Sequence, residues 1–474
     1  MNAIFGIINK TGYAVDETMA TKMQTSLLHR AVDGKNLYIN GEVMFGHHKL
    51  VVHRRQKWEQ QPLEADDCII TSDARIDNIQ DLIKELQPGH SADGITDSQI
   101  ILKAYKKWGN DCVNHLEGEF AFAIWDNTTK TFCGACDHIG FRTFYYYENK
   151  EIFAFASEIK AIEAIKSEAL DFNEEIFLGH YSNIYQPITY DKKIKVLPSA
   201  HYIFLNEKFN TTIKQYWVAK KSNTYKFKNA NDWNESLTSL LTKKIESQID
   251  SDHPIGVMLS GGLDSSFVTA IACGLLKKQN RKLLAFSIVL PENYEGKYKD
   301  ERKYIERLKE LYDNLVVHYV SFADNEEPYA NIHAAFDHLE APANFLYYVE
   351  AKIHKYAQSI GVRTMLTGFG GDMTISYNGG GIIYNYLRNF NLIKAFKLLR
   401  KNYVNENVSL IMQFKNEIAR FHPLYKFFKN KRNIIGYSNL PLSQLYISRI
   451  KDIHNRDIKN WKRYLANMIN NGEL

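Results

Sequence analysis

The rhythm of apolar and polar positions changes near the middle of this chain. Over residues 1–217 short apolar runs bounded by turn residues dominate: "AIFGII" (3–8), "CIITSDARI" (68–76), "FAFAIWD" (120–126), "FRTFYYY" (141–147) and "IFAFAS" (152–157). Runs this short, rich in β-branched and aromatic residues, predict strands. Two stretches of helical spacing interrupt them, near 16–28 and 97–107. A polar segment, "AKKSNTYKFKNANDW" (219–233), reads as a linker.

Beyond it the pattern alternates. Buried-type strands are expected at "PIGVMLS" (254–260), "KLLAFSIVL" (282–290), "LVVHYVSF" (315–322) and "VRTMLTG" (362–368). Helices are expected at "WNESLTSLLTKKIESQI" (233–249), "SSFVTAIACGLLKK" (265–278), "DERKYIERLKELY" (300–312) and "EAKIHKYAQSIG" (350–361). Strands alternating with helices of this length predict parallel βαβ units, an α/β fold. From about residue 383 the chain is rich in Lys, Asn and Tyr at helical spacing.

Composition narrows this only a little. The 474 residues leave room for two or three domains. A net charge of +5 permits an anionic ligand without arguing for a nucleic-acid partner. Five scattered cysteines make no disulfide framework. Cys133 and Cys136 form a C-x-x-C, but positions three apart in a strand point to opposite faces, so the pair is expected in the core rather than on a metal. With no signal-peptide pattern and no membrane-span window, the expected location is the cytoplasm.

The chemistry concentrates in "SGGLDSS" (260–266), after a strand and opening a helix. Gly261 and Gly262 let the backbone approach a ligand closely. The N–H groups of a helix N-terminus then face an anion, and the hydroxyls of Ser260, Ser265 and Ser266 can add hydrogen bonds. Asp264 would repel a bare phosphate, so its presence beside one implies an intervening Mg²⁺. Leu259 and Leu263 complete the cradle, which does not fit the Walker pattern.

These residues resemble the pyrophosphate-binding loop of the ATP-pyrophosphatase superfamily. A second stretch, "TMLTGFGGDM" (364–373), is similar to the second signature of the asparagine synthetase family. In the first half "AIFGI", "LLHR", "TDSQIILKAY", "LEGEFAFAIWD" and "FASEIKAI" resemble that family's N-terminal glutaminase domain. The resemblance implies a glutaminase-like Ntn-type αββα sandwich over 1–217. A Rossmann-like parallel-sheet ATP-pyrophosphatase domain with a helical C-terminal part would follow over 230–474. It implies ATP and Mg²⁺ as cofactors, with ATP held by residues 259–266, Ser287, Gly368 and Gly370, and the metal by Asp264 and Asp372. Asp300 and Glu301 match a family acidic pair, and a helix N-terminal charge effect explains that pair equally well.

The sequence departs from the family at informative places. The nucleophilic cysteine that follows Met1 in the family is Asn2 here, and a carboxamide is neither nucleophile nor base. The family's Asn-Gly-Glu aligns with Asp73-Ala74-Arg75, and its carboxylate-gripping arginine with Lys49; Asp97 is kept. The second signature reads Gly368-Phe369-Gly370 where asparagine synthetases carry Gly-Glu-Gly, so no general base is assigned. The resemblance implies a late lysine near the adenylate, and none is evident in "NRDIKNWKRYLANMINNGEL" (455–474); either a late-helix Lys or Arg substitutes, or a partner chain completes the site, or catalysis is impaired.

The expected function is an AMP-forming, ATP-dependent amide ligase without glutamine hydrolysis, nearest the β-lactam synthetase and lasso-peptide cyclase branch, with a macrocyclase of a small peptide its most concrete form. Its partners would be a peptide or amino-acid-derived substrate, in the peptide case a precursor peptide and a protease. Two alternatives stand beside it: an asparagine synthetase using free ammonia, and a non-catalytic ATP-binding scaffold. The basic, aromatic "FKNKRN" (428–433) reads either as a solvated face or as a surface receiving a peptide.

Overall fold

The strand β1 (Ala3–Asn9) is buried along almost its whole length because neither of its faces is an outside. Ala3, Phe5 and Ile7 pack with Ala20 and Met23 of helix Glu17–Ser26 and with Ile159 and Ile162 of helix Ile159–Glu163. Ile4 and Ile8 point the other way, into a layer shared with a second sheet. The fold is described by a computed structural model covering residues 1–86, 94–176, 187–220, 227–292, 294–322, 347–376 and 382–406, with 333, 340, 412 and 414 as single residues.

Among the described residues the first half contains β2 (Gly34–Asn40), β3 (Val43–Lys49), β4 (Leu63–Ala65), β5 (Cys68–Ile76), β6 (Gly118–Asp126), β7 (Thr131–Cys136), β8 (Tyr145–Glu148), β9 (Ile152–Ala156), β10 (Ile194–Val196), β11 (His201–Leu205) and β12 (Thr211–Gln215). They form two six-stranded sheets, ordered β10-β8-β9-β1-β3-β2 and β12-β11-β7-β6-β5-β4. Helices Ile79–Leu86 and Asp97–Trp108 cover the outer face of the second sheet. The result is the expected helix–sheet–sheet–helix sandwich. The expected strand 141–147 is shorter, because the Asp137 carboxylate takes the N–H groups of Phe141 and Arg142 (both 3.0 Å) and bends them into a turn.

The second half builds β13 (Ile255–Met258), β14 (Leu283–Ile288), β15 (Leu315–Val320) and β16 (Thr364–Leu366), all parallel, in the order β15-β14-β13-β16. Helix Leu263–Lys278 packs on them through Ala272, Cys273, Leu275 and Leu276. The expected helix at 233–249 begins earlier, at Ala230. The Asn229 side chain accepts from the N–H groups of Asn231 (2.8 Å) and Asp232 (3.0 Å), so the linker ends there. The C-terminal helices Ile382–Arg388 and Leu392–Glu406 pack on each other through Ile383, Ala395 and Leu399. Residues 428–433 and 455–474 lie outside the described residues.

The chain divides into two compact units, one of residues 1–174 and 187–367, the other of 175–186 and 368–474. Within the first unit the two sequence halves are tied by charges. Arg363 donates to Asp33 and to the Val51 carbonyl (2.9 Å), and Arg54 and Lys57 reach Asp252. Glu340 accepts from the backbone N–H groups of Ile159 and Lys160, both at 2.7 Å.

All five cysteines are buried. Cys133 belongs to the outer layer and Cys136 to the layer between the sheets, so the C-x-x-C does not converge. Burial pushes the Cys68 thiol up to about 11 and those of Cys112, Cys136 and Cys273 up to about 12. Ellman's reagent is expected to titrate no thiol in the native protein at pH 8 and all five in denaturant; rapid native labelling of even one would contradict this core.

Candidate functional site

The loop after β13 is anchored by groups the sequence alone assigns to ligand contact. Leu259 is buried, and its N–H donates to the Phe286 carbonyl (3.0 Å). Its own carbonyl accepts the Ser287 hydroxyl (2.6 Å), so the buried Ser287 pins the loop to β14. The hydroxyls of Ser260 and Ser265 lie 3.0 Å apart, the Gly262 N–H donates to Ser260 Oγ (3.3 Å), and Ser265 Oγ donates to the Gly262 carbonyl (3.2 Å). These two serines therefore shape the turn. The Ser266 N–H continues the helix, donating to the Gly262 carbonyl (3.0 Å).

Gly261 sits at φ +84°, and a Cβ built there would lie 2.8 Å from Glu301 Cβ and 3.1 Å from the Glu301 carbonyl oxygen. Glycine is thus required twice, by conformation and by the approach of Glu301. Helix Leu263–Lys278 starts at Gly262 with no side-chain cap. A helix of this length without one leaves first-turn N–H groups for an anion. Leu263 stands 84% exposed at the mouth of the turn and Asp264 is half-buried behind it. Asp300 holds a loop and a helix start together. Its carboxylate accepts from the N–H groups of Leu290 (3.0 Å) and of Arg302 (3.1 Å), where helix Arg302–Leu311 begins.

β13 is the switch point of the sheet. β14 and β15 continue to one side and β16 lies on the other, paired Ile255↔Thr364, Gly256↔Met365 and Val257↔Leu366. Ligands of open parallel sheets bind at the carboxyl ends of strands at such a point. The turn after β16 belongs to the second unit. In it Gly370 takes φ +83°, the Gly371 N–H donates to the Gly368 carbonyl (3.2 Å), and Phe369 is 94% exposed. Asp372 is exposed.

Among the described residues no group of three or more His, Cys, Asp or Glu side chains is arranged to hold a metal. The available donors are single carboxylates, as magnesium uses when phosphates supply its other ligands.

The front of the first half is a second, different site. The Asn2 N–H donates to Asp73 Oδ1 (3.2 Å), its carboxamide oxygen accepts the Leu50 N–H (2.7 Å), and its carbonyl accepts from Arg30 Nη1 (3.1 Å). Burial lowers the Met1 amine to about 6 against the pull of Asp73. From Asp73 an alternating chain of charges runs outward. Arg142 lies 3.5 Å from Asp73 and 3.1 Å from Glu119; Arg75 lies 3.0 Å from Glu119 and 3.0 Å from Asp77. Lys49 Nζ donates to the carbonyls of Lys57 (3.0 Å) and Glu59 (2.9 Å). Asp97 is held by His53 (3.2 Å), Arg55 (3.0 Å) and the Ile76 N–H (2.9 Å). Asp73, Arg75, Lys49 and Asp97 are thus each engaged within the chain. Sequence reasoning missed His53, Arg55, Glu119 and Arg142; for Glu119 the signal is its place opposite Arg75 across β5 and β6.

Residues 1–217 match the glutamine amidotransferase domain family and residues 236–467 the asparagine synthase family. The chain is 33% identical over 311 residues to asparagine synthetase (glutamine-hydrolysing) 3 of Bacillus subtilis strain 168, covering 61% of this chain and 49% of that protein. It is 28% identical over 398 residues to the putative asparagine synthetase (glutamine-hydrolysing) 2 of Methanocaldococcus jannaschii, covering 78% of this chain and 74% of that one. The chain therefore spans about half the length of the first relative. Among solved structures, the glutamine phosphoribosylpyrophosphate amidotransferase of B. subtilis complexed with ADP and GMP aligns at 13% identity and TM-score 0.35, over 79% of this chain and 93% of that chain.

Gly261→Ala, whose Cβ would meet Glu301 at 2.8 Å, is expected to weaken ATP binding by at least about tenfold with an unchanged circular dichroism spectrum; unchanged binding by calorimetry would remove Gly261 from the cradle. Burial alone would raise the Asp97 carboxyl, but the His53 ion pair and Arg55 hold it down at about 2. A carboxyl held below its unfolded value stabilises fully above about pH 4 and ceases to do so as pH falls toward 2. Asp97→Asn should therefore destabilise by about 3 kcal/mol at pH 7. In thermal melts its deficit should shrink below pH 4, and a deficit constant down to pH 2.5 would contradict the pairing.

Proposed function

Proceeding from a chain that belongs to the asparagine synthetase family of ATP-dependent amide-forming ligases, we propose that it adenylates a substrate carboxylate and joins it to an amine of the substrate, without hydrolysing glutamine. In the first step a carboxylate oxygen attacks the α-phosphorus of ATP, the α–β bridging bond breaks, and pyrophosphate leaves. In the second an amine attacks the acyl carbonyl, AMP departs with the bonding pair, and the amine gives up a proton. Closure of a peptide ring, as in lasso-peptide cyclases, is the most concrete form of this reading.

Residues 259–266 would hold the phosphates. Gly261 and Gly262 admit the pyrophosphate to the uncapped helix start, while Ser260, Ser265 and Ser287 keep the turn in shape. Asp264 and Asp372 would hold Mg²⁺; it supplies charge neutralisation of the leaving pyrophosphate. The parallel pairing of β13 with β16 makes β13 the switch point from which the loop at 259–266 leaves the sheet. Gly368 and Gly370 would give the second turn its open backbone beside the nucleotide. Phe369 carries no proton-accepting atom, so the amine's proton goes to another group or to solvent.

The observation that carries the exclusion of glutamine is the closed charge chain Asp73–Arg142–Glu119–Arg75–Asp77. Glutamine offers a carboxylate and an ammonium, and the side chains aligned with its contacts already satisfy one another. Restoring a thiol alone therefore does not restore a pocket.

The test measures pyrophosphate release from ATP with candidate peptides and amino acids, and ammonia release from glutamine. Wild type should release pyrophosphate only with a suitable carboxylate substrate, Asp264→Ala should lose at least about 100-fold in rate, and Asn2→Cys should release no ammonia. Asparagine formed from aspartate and ammonium, or glutamine hydrolysis by wild type, would overturn the reading. ATP binding with no pyrophosphate from any substrate would leave a nucleotide-binding scaffold.

A further inference from the structure

Helix Leu392–Glu406 carries a broad apolar stripe, and among the described residues only part of it is buried. Ala395 and Leu399 are buried against Ile383, with Leu387 and Leu398 packed around them. At 3.6 residues per turn, Leu392, Phe396 and Ile393 extend that stripe to one side, and they are 60%, 60% and 73% exposed. Phe390, just before the helix, is 89% exposed and sits at φ +54°. Its N–H donates to the Leu387 carbonyl (3.1 Å) and the Asn391 N–H to the Tyr386 carbonyl (2.8 Å), so the turn is well formed. Glycine or asparagine would take this left-handed corner more cheaply. A bulky aromatic held there against that preference, pointing outward, marks a residue placed for contact.

Charge says what the contact is with. Exposed Lys394, Lys397 and Arg400 border the apolar arc. No Asp or Glu occurs between Asp372 and Glu406, and residues 373–474 carry 17 Lys and Arg against five Asp and Glu. A second copy would set like charge against like. The segment beyond the helix is basic too, with 12 Lys and Arg against four Asp and Glu over 407–474, so it offers the arc no neutralising charge. The carboxamides of Asn389 and Asn391 flank Phe390; such groups hydrogen-bond a peptide backbone, whereas hydrocarbon would strip them of partners. We propose that this face, Phe390, Leu392, Ile393 and Phe396 rimmed by Lys394, Lys397 and Arg400, docks an acidic peptide segment with apolar anchors.

The proposal stands apart from the ligase reading, and binding is measured without nucleotide so that each fails by itself. The probe is a fluorescein-labelled peptide alternating Asp and Glu with Leu and Phe, titrated with the full chain in an anisotropy assay. Its counterpart with every acid replaced by lysine is the control. The acidic peptide should bind, more weakly as salt rises, and the lysine peptide should not. The triple variant Phe390→Ser, Ile393→Ser, Phe396→Ser should weaken binding by at least about tenfold, with an unchanged thermal midpoint. Four results would each overturn the proposal: no binding, equal binding of the lysine peptide, full binding by the triple variant, or a lowered midpoint in that variant, which would mean the face is covered within the chain. Sedimentation with phosphatidylglycerol vesicles without peptide binding would assign the face to a lipid surface instead.

Discussion

The second half of this chain depends on one pairing, that of Ile255–Val257 with Thr364–Leu366. Without it the sheet would run β13, β14, β15 in a single direction and offer no crevice. With it the strand order reverses at β13, and the glycine-rich loop leaves the sheet at the reversal. The pairing also explains why the loop tolerates so little. Its entrance is fixed by Leu259 in the core and its exit by a helix whose buried residues are shared with β13 and β14. Between those anchors the backbone turns through a left-handed glycine pressed against Glu301. An anion-binding turn works by presenting N–H groups already in place. Here rigid strand pairing and serine cross-ties do the placing.

The first half obeys an opposite rule. A binding pocket must keep polar groups unpaired, at a cost in stability, until a ligand arrives. Around Asn2 the charged groups are already largely paired, although the buried Arg142 Nε has no hydrogen-bond partner among the described residues. Asp73, Arg142, Glu119, Arg75 and Asp77 have side chains at most 15% exposed and pair in sequence. Removing one member of such a set strands a buried charge and costs about 3–5 kcal/mol. A reversal from Asn and Glu to Asp and Arg lets the same positions close on one another. The substitutions at 2, 73 and 75 thus read as one change rather than three.

Much of this was legible in the sequence, and the limits have physical causes. The switch from strand-rich to alternating pattern identified both halves, because burial on two faces produces continuous apolar runs. The need for glycine at 261 was legible from the motif; the reason that Glu301 stands against it was not, since the two lie forty residues apart and meet only through the fold. The contacts that Ser260, Ser265 and Ser287 make within the loop are not legible, because a hydroxyl's partner is invisible in sequence. The pair Arg75–Glu119 requires the β5–β6 register, where a slip of one residue would put the two on opposite faces. Helix Ile79–Leu86 carries apolar residues at i, i+3, i+4 and i+7, a signal that a strand-dominated reading of the first half passes over.

The front half also meets the second half directly, and the contacts differ in strength. Arg54 and Lys57 meet Asp250 and Asp252 at sites roughly 37–48% exposed, where each pair contributes no more than about 1 kcal/mol. Arg363 is different. It adjoins β16, is less exposed, and grips Asp33 with two nitrogens while Asp33 also accepts the Val51 N–H (2.8 Å). The loop from Val51 to Lys57 lies just beyond Lys49, the residue aligned with the family's grip on glutamine. Arg363, the residue before β16, thus fastens residues 51–57 and braces the strand on which the switch point depends.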